Sequence, residues 1–160
     1  MKGKTTINSI QRAVLSRNLA ELKSALNGEN VDCKDEDGRT PLFQTIVDGS
    51  MELTSELIIH GANVNARDSA GETPLHFAAR EYRIDAAKLL LEHGTQVDAQ
   101  DEHGNTPLAR AVFASRGRGE MIKLLLSHSA DGHLKNKHGV SPEDLAKSIA
   151  NYDVKQFFAQ

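Results

Sequence analysis

The chain has 160 residues with 22 acidic and 19 basic side chains, a net charge of −3 and a pI near 6.2. That balance excludes a general nucleic-acid binder, because neutralising phosphates needs an excess of Lys and Arg on one face. Aromatic residues are 4 % and tryptophan is absent, so Leu, Ile, Val and Ala must carry the packing, which suits thin helical layers. No run has the length and apolarity needed to span a bilayer, the basic start Met1 to Thr6 leads into no apolar leader core, and the expected location is cytoplasmic.

In chain order, the spacing of apolar residues from Ile7 to Leu26 predicts two short helices, closed by Gly28. Gln11, Arg12, Arg17, Glu21 and Lys23 suit an outer polar face, so 1–34 reads as an N-terminal cap. Cys33, the only cysteine, excludes an internal disulfide, fits a reducing compartment, and stands where Ala66 and Ala99 stand further on; it reads as a small buried residue. After an acidic stretch, Asp35, Glu36 and Asp37, comes Gly38-Arg39-Thr40-Pro41-Leu42. The order Gly-x-Thr-Pro-Leu returns at Gly71 and Gly104, and a weaker Gly139-Val140-Ser141-Pro142 follows, with steps of 71−38 = 33, 104−71 = 33 and 139−104 = 35. Gly28, Gly61 and Gly94 step by the same interval, and a period of this size is the mark of a solenoid.

Each part of the period has a physical job. Gly38, Gly71, Gly104 and Gly139 supply the positive φ of a tight turn, expected at the tip of a hairpin. Thr40, Thr73, Thr106 and Ser141 are expected to cap the next helix with a side-chain oxygen, and all four prolines take its first position, where no amide donor is needed. A second apolar run follows in each copy, Leu53 to Ile59, Ala86 to Leu91 and Met121 to Leu126, with Gly61 and Gly94 as left-handed stops and Ser129 in the third place. One such helix pair cannot bury its apolar face alone, so the copies must stack. The repeats are placed at 35–67, 68–100 and 101–135, with a C-terminal cap at 136–160. The third has two extra residues between its helices, at 114–120, where Gly117 and Gly119 predict a flexible loop. A last helix is expected from Tyr152 to Phe158.

Seven histidines invite a search for a metal site or a catalytic group. His60, His93 and His128 occupy one repeat position at the end of each second helix, and stacked helices lie about 8–10 Å apart. That is too wide for a shared ion whose nitrogen ligands sit at ~2.0–2.1 Å, so they read as polar helix ends interacting with the dipole. His103 and His138 fall at hairpin tips and His133 before the last one. No Cys or His spacing resembles a zinc site, and Gly117-Arg118-Gly119 lacks the strand, glycine and lysine of a phosphate loop. No metal, cofactor or catalytic residue is expected; an enzyme is the remotest of the alternatives.

The Thr73-Pro74-Leu75-His76-Phe77-Ala78 motif, with Leu89-Leu90-Leu91-Glu92-His93-Gly94, resembles the ankyrin repeat family. Phe43 stands in the first copy where the family has histidine, and the resemblance covers nearly the whole chain. It implies an all-α solenoid of helix-turn-helix pairs with β-hairpin fingers, in which His76 is a structural hydrogen-bonding residue. It further implies a non-catalytic module that binds another protein through fingers and first helices; because packing and capping account for every repeat position, the free chain is expected to be a monomer. Carried over position by position, the contact residues would be Glu36, Asp37, Arg39, Val47 and Asp48 in the first repeat, and Ser69, Ala70, Glu72, Arg80, Glu81 and Tyr82 in the second. In the third they would be Glu102, His103, Asn105, Phe113 and Ala114, with Arg67 and Gln100 at the junctions. Tyr82 stands where the family has an inter-helix glycine, and with Phe113 it is the expected energetic centre, the rival role being to seal helix ends over the loop 114–120. The acidic fingers suit a partner with a basic surface. The chain also looks like small stand-alone bacterial ankyrin proteins, some of which are immunity proteins that block a toxin; an intracellular scaffold or a secreted effector acting on a host protein is the alternative.

Overall fold

The computed structural model describes residues 8–26 and 30–159, and among them the chain forms nine α-helices and one 3₁₀ helix. The start of the chain through Ile7, and Gly28, lie outside the described residues. The helices are α1 (Ser9–Leu15), α2 (Leu19–Ala25), α3 (Pro41–Asp48), α4 (Met51–Ile59), α5 (Pro74–Arg80), α6 (Ile84–Glu92), α7 (Pro107–Ala114), α8 (Glu120–Ser127) and α9 (Pro142–Ser148). Each of α1, α3, α5 and α7 packs on the even helix that follows it, and α9 on the 3₁₀ helix. The odd helices stack in one row, α1 through α9, and α2, α4, α6 and α8 in a second.

What holds the two rows together is the same pair of positions used again and again. Ile10, Leu42, Leu75 and Leu108 of the odd row, and Leu22, Leu57, Leu90 and Leu125 of the even row, are all fully buried. Each such side chain contributes roughly 1.5–3 kcal/mol of transfer free energy, and no single pair of helices could shelter both sets.

The segment before each of α3, α5, α7 and α9 is a closed loop. Among the described residues none is in a strand, so the β-hairpin fingers expected from the resemblance are not present as strands. The reason is local. Asp35 Oδ1 accepts the amides of Asp37 and Arg39, both at 2.9 Å. Asp68 does the same for Ala70 and Glu72 at 3.0 and 2.9 Å, Asp101 for His103 and Asn105 at 2.8 and 2.9 Å, and Asn136 for His138 and Val140 at 2.9 and 3.0 Å. Side-chain oxygens thus take donors that a strand ladder would have used. One main-chain bond per tip joins each loop to the previous one: Ser69 N–H to Asp37 O at 2.8 Å, Glu102 to Ala70 at 2.9 Å and Lys137 to His103 at 3.0 Å.

The tip glycines serve both the turn and this stacking. A Cβ on Gly38, Gly71 or Gly104 would meet the next tip's amide nitrogen at 3.1, 3.1 and 2.9 Å, while one on Gly139, the last of these tips, would meet nothing within 4 Å among the described residues.

Capping depends on what stands at the third helical position. In α5, His76 Nδ1 accepts the Thr73 amide at 3.0 Å and lies 2.9 Å from its hydroxyl. In α7 and α9 the hydroxyl works as expected: Thr106 accepts from Ala109 N–H at 3.3 Å and Ser141 from Asp144 N–H at 3.1 Å. Phe43 replaces that partner in α3, and the buried Thr40 Oγ1 makes no hydrogen bond. Phe43 instead meets Phe77 edge-on, with ring centres 5.0 Å apart.

The C-terminal expectations need correction in two places. The final element is the 3₁₀ helix Val154–Phe158, shorter than the helix expected from Tyr152. The Phe157 ring of that helix and the Tyr152 ring just before it explain the insertion's glycines. A Cβ on Gly119 would lie 2.4 Å from the Phe157 ring and one on Gly117 2.9 Å from Tyr152, so these are close-approach positions under an aromatic cap. The loop between them is held rather than loose: Tyr82 Oη donates to Arg118 O at 2.6 Å, and the Arg118 guanidinium stacks 3.9 Å from the Tyr82 ring centre. Cys33 is half-buried, unlike the buried Ala66 and Ala99.

Candidate protein-binding face

Each of α3, α5 and α7 begins at a loop tip and ends at the turn to its even partner, so its exposed face is bordered by the tip on one side and the turn on the other. Stacking turns these faces into a strip. At the last turns of α1, α3, α5 and α7, one repeat position is held by Leu15, Val47, Arg80 and Phe113. Leu15 is 58 % exposed and Phe113 78 %, while Val47 is half-buried against the core.

The middle of the strip is ionic. Arg80 Nη1 donates to Glu72 Oε2 at 2.9 Å and Arg80 Nε to Glu81 Oε1 at 3.2 Å. Arg110 Nη2 donates to Asp101 Oδ2 at 2.6 Å and sits 2.9 Å from Glu72 Oε1, an ion-pair contact without hydrogen-bond alignment. Arg39 joins Asp68 at 3.4 Å and Asp37 at 3.2 Å. Arg39 and Arg80 lie 5.1 and 4.3 Å from the centre of the Phe77 ring, which they cover. Asp68, Glu72 and Asp101 are buried beneath these arginines. Burial would raise the Asp101 carboxyl, but the amides of Asn105 and His103 and the Arg110 charge outweigh it and hold it below the usual range.

His76 is fully buried under the same strip. Its Nε2 lies 2.9 Å from Asn105 O in the next repeat and its Nδ1 accepts from Thr73, an arrangement that fixes the neutral Nε2–H tautomer. Desolvation pulls its pKa down against the Asn105 bond and the nearby Glu72 and Asp101 charges, with Arg110 adding to the fall.

The expected contact residues therefore separate by what they touch. Glu36, Asp37, Ser69, Glu81, Glu102, His103 and Phe113 are exposed, and Arg39, Val47, Asp48, Ala70, Asn105 and Ala114 are half-buried. Glu72 is buried among arginines. Arg67 and Gln100 hold neighbouring repeats together: Arg67 Nη1 donates to Gln100 O at 2.7 Å, and Gln100 Nε2 to Lys135 O at 3.2 Å. Lys34 Nζ donates to Arg67 O at 3.1 Å, completing a donor row that the sequence reading passed over. The signal was available in the positions 34, 67 and 100, each a long polar side chain one period apart. Tyr82 has φ 56°, the left-handed conformation that Gly49 holds with φ 69° in the preceding repeat. It is tied to the loop at 118, whereas Phe113 is open, so the two rings do different work.

At the other end of the molecule's helices, His60, His93 and His128 each place Nδ1 on the carbonyl four residues earlier, at 2.9, 2.8 and 2.9 Å. They are helix caps. Among the described residues no three His, Cys, Asp or Glu side chains gather closely enough to hold a metal ion, and no helix is long and apolar enough to cross a membrane.

A family model for ankyrin repeats in three copies matches residues 10–101, and a second, for ankyrin repeats in many copies, matches residues 81–126. The first alone covers more than half of the chain, and the protein belongs to the ankyrin repeat family. No curated protein matches it. Members of this family are typically non-catalytic modules that bind other proteins.

Proposed function

We propose that this chain binds another protein through the strip formed by its loop tips and odd helices, and that the partner is a toxin held inactive by occlusion. The observation that carries the binding reading is Phe113. The other large apolar side chains of α7 are buried, while this one is 78 % exposed at a position repeated along the strip. Exposed aromatics of this kind anchor interfaces, where truncation costs about 2 kcal/mol or more, roughly a thirtyfold loss of affinity. Exposed Glu36, Asp37 and Glu102 at the tips favour a partner with a basic surface.

Affinity capture from the source organism, with the wild type and Phe113→Ala compared, tests the binding reading. Phe113→Ala should lose the partner with its melting temperature nearly unchanged, and Tyr82→Ala should lower the melting temperature because it removes the staple to Arg118. Retained capture by Phe113→Ala would move the site elsewhere. For the toxin reading, the product of the adjacent gene should arrest growth when expressed alone and be relieved by this protein; failure of relief overturns it.

A further inference from the structure

We infer that the segment of the partner received by this strip is an amphipathic α-helix lying along the stacking axis, with a cationic flank against the loop tips and an anionic flank against the inter-helix turns. The inference rests on the protein-binding reading above.

Width comes first. The odd helices have seven or eight residues, so the strip from tip to turn is about 10–12 Å wide at 1.5 Å per residue. That equals the ~10–12 Å diameter of one α-helix with its side chains.

Spacing then discriminates between helix and strand. Leu15, Val47, Arg80 and Phe113 recur once per stacked helix, at about 8–10 Å. Residues seven apart on a helix share a face and are separated by about 10.5 Å. On a strand, same-face residues recur at about 6.7 Å and again at about 13.4 Å, so an extended chain drifts out of register within one repeat. Three heptads of helix span about 31.5 Å, slightly more than the roughly 24–30 Å from Leu15 to Phe113. At the level of Arg80, which is engaged by Glu72 and Glu81, the matching residue must be small and polar.

Charge sets the flanks. On the tip side, Asp35, Glu36, Asp37 and Glu102 are exposed, with Arg39 3.2 Å from Asp37, His103 3.3 Å from Glu102 and exposed Lys137 on the last tip offsetting part of that charge. On the turn side stand exposed Arg17, Arg83, Arg116 and Arg118. Arg83 donates to Val47 O at 2.6 Å and Arg118 to Ser115 O at 3.1 Å. Those bonds go to backbone carbonyls and leave the guanidinium charge uncancelled. Asp48, Glu81 and Glu120 offset part of it, with Asp48 paired to Arg17 at 3.6 Å. A helix with one basic and one acidic edge fits both borders at once, whereas uniformly charged flanks are repelled by one of them.

The probe is a 22-residue peptide with leucines at positions 1, 8 and 22, serine at 15, lysines on one flank and glutamates on the other. Two controls carry a single charge type on both flanks, and a third has the same composition rearranged to a period of two. Fluorescence anisotropy should give binding of the mixed-flank helix at least tenfold tighter than any control, with a gain in peptide helicity by circular dichroism. Phe113→Asp and Leu15→Asp should each weaken it at least tenfold while keeping the protein's own melting temperature. Absence of binding, or equal binding by the period-two peptide, overturns the helix. If in that case Phe113→Asp still abolishes capture of the natural partner, the strip stands and only its occupant is wrong; if capture survives, the reading beneath falls as well.

Discussion

His76 is the residue at which a family position becomes a measurable property of this chain. Its pKa is lowered by burial, so the folded state favours the neutral ring more than the unfolded state does. For a histidine shifted down, the unfolded chain binds the extra proton first. The contribution to stability is therefore complete above the unfolded value of ~6.5 and is lost as pH falls below it toward the folded value. Urea midpoints measured between pH 7.5 and 5.5 should fall for the wild type and fall less for His76→Asn; parallel slopes would show that this ring does not titrate with folding. Thr40 offers a second contrast of the same kind. Its buried hydroxyl has no partner, so Thr40→Val should be neutral or stabilising by up to about 1 kcal/mol. Thr106 caps α7, and Thr106→Val should cost about 1 kcal/mol. Equal losses at both positions would refute the orphaned hydroxyl.

Among the elements, the C-terminal 3₁₀ helix and the 114–120 loop are one packing unit. Phe157 presses on Gly119, and Lys123 of α8 lies 5.2 Å from the same ring's centre. A methyl at 119 requires the half-buried Phe157 ring to shift, at the low end of the roughly 1–3 kcal/mol typical of overpacking. Gly119→Ala should lower the unfolding free energy by that amount, and in the Phe157→Ala background it should cost much less, a coupling that chemical denaturation of the four proteins measures directly. Additive losses would mean that the glycine is needed for some other reason. The loop tips are a second such unit: Asp35, Asp68, Asp101 and Asn136 organise their own turns, which leaves fewer carboxylates facing outward than a reading of the acidic residues alone suggests.

For the whole molecule, the exposed acids at the tips act on a partner's approach more than on its final affinity. Reversing Glu36, Asp37 and Glu102 to lysine should slow association several-fold at low salt and much less at physiological ionic strength, where screening sets in over ~8 Å. Stopped-flow or surface-based kinetics with the captured partner reads this. An unchanged association rate at low salt would make the tip charges bystanders. The fold itself should respond little to these changes, because the buried Ile and Leu rows that join the two helix layers lie away from them.

The repeat, the place of each helix and the leucine layers were legible in the sequence, because they depend on a period and on local chemistry: a glycine at the turn, a proline at the first helical position, an apolar residue at fixed intervals. The donor role of Arg67 and Gln100, the strand-free loops and the aromatic cap over Gly117 and Gly119 were not. These are set by which atom lies opposite a side chain in the next repeat. A polar residue at a variable position reads alike whether it faces solvent or a neighbouring carbonyl. Glu72 looked like a surface contact and is enclosed by Arg80 and Arg110; Tyr82 and Phe113 looked like a pair, and only stacking, which brings Arg118 over one ring and leaves the other open, separated them.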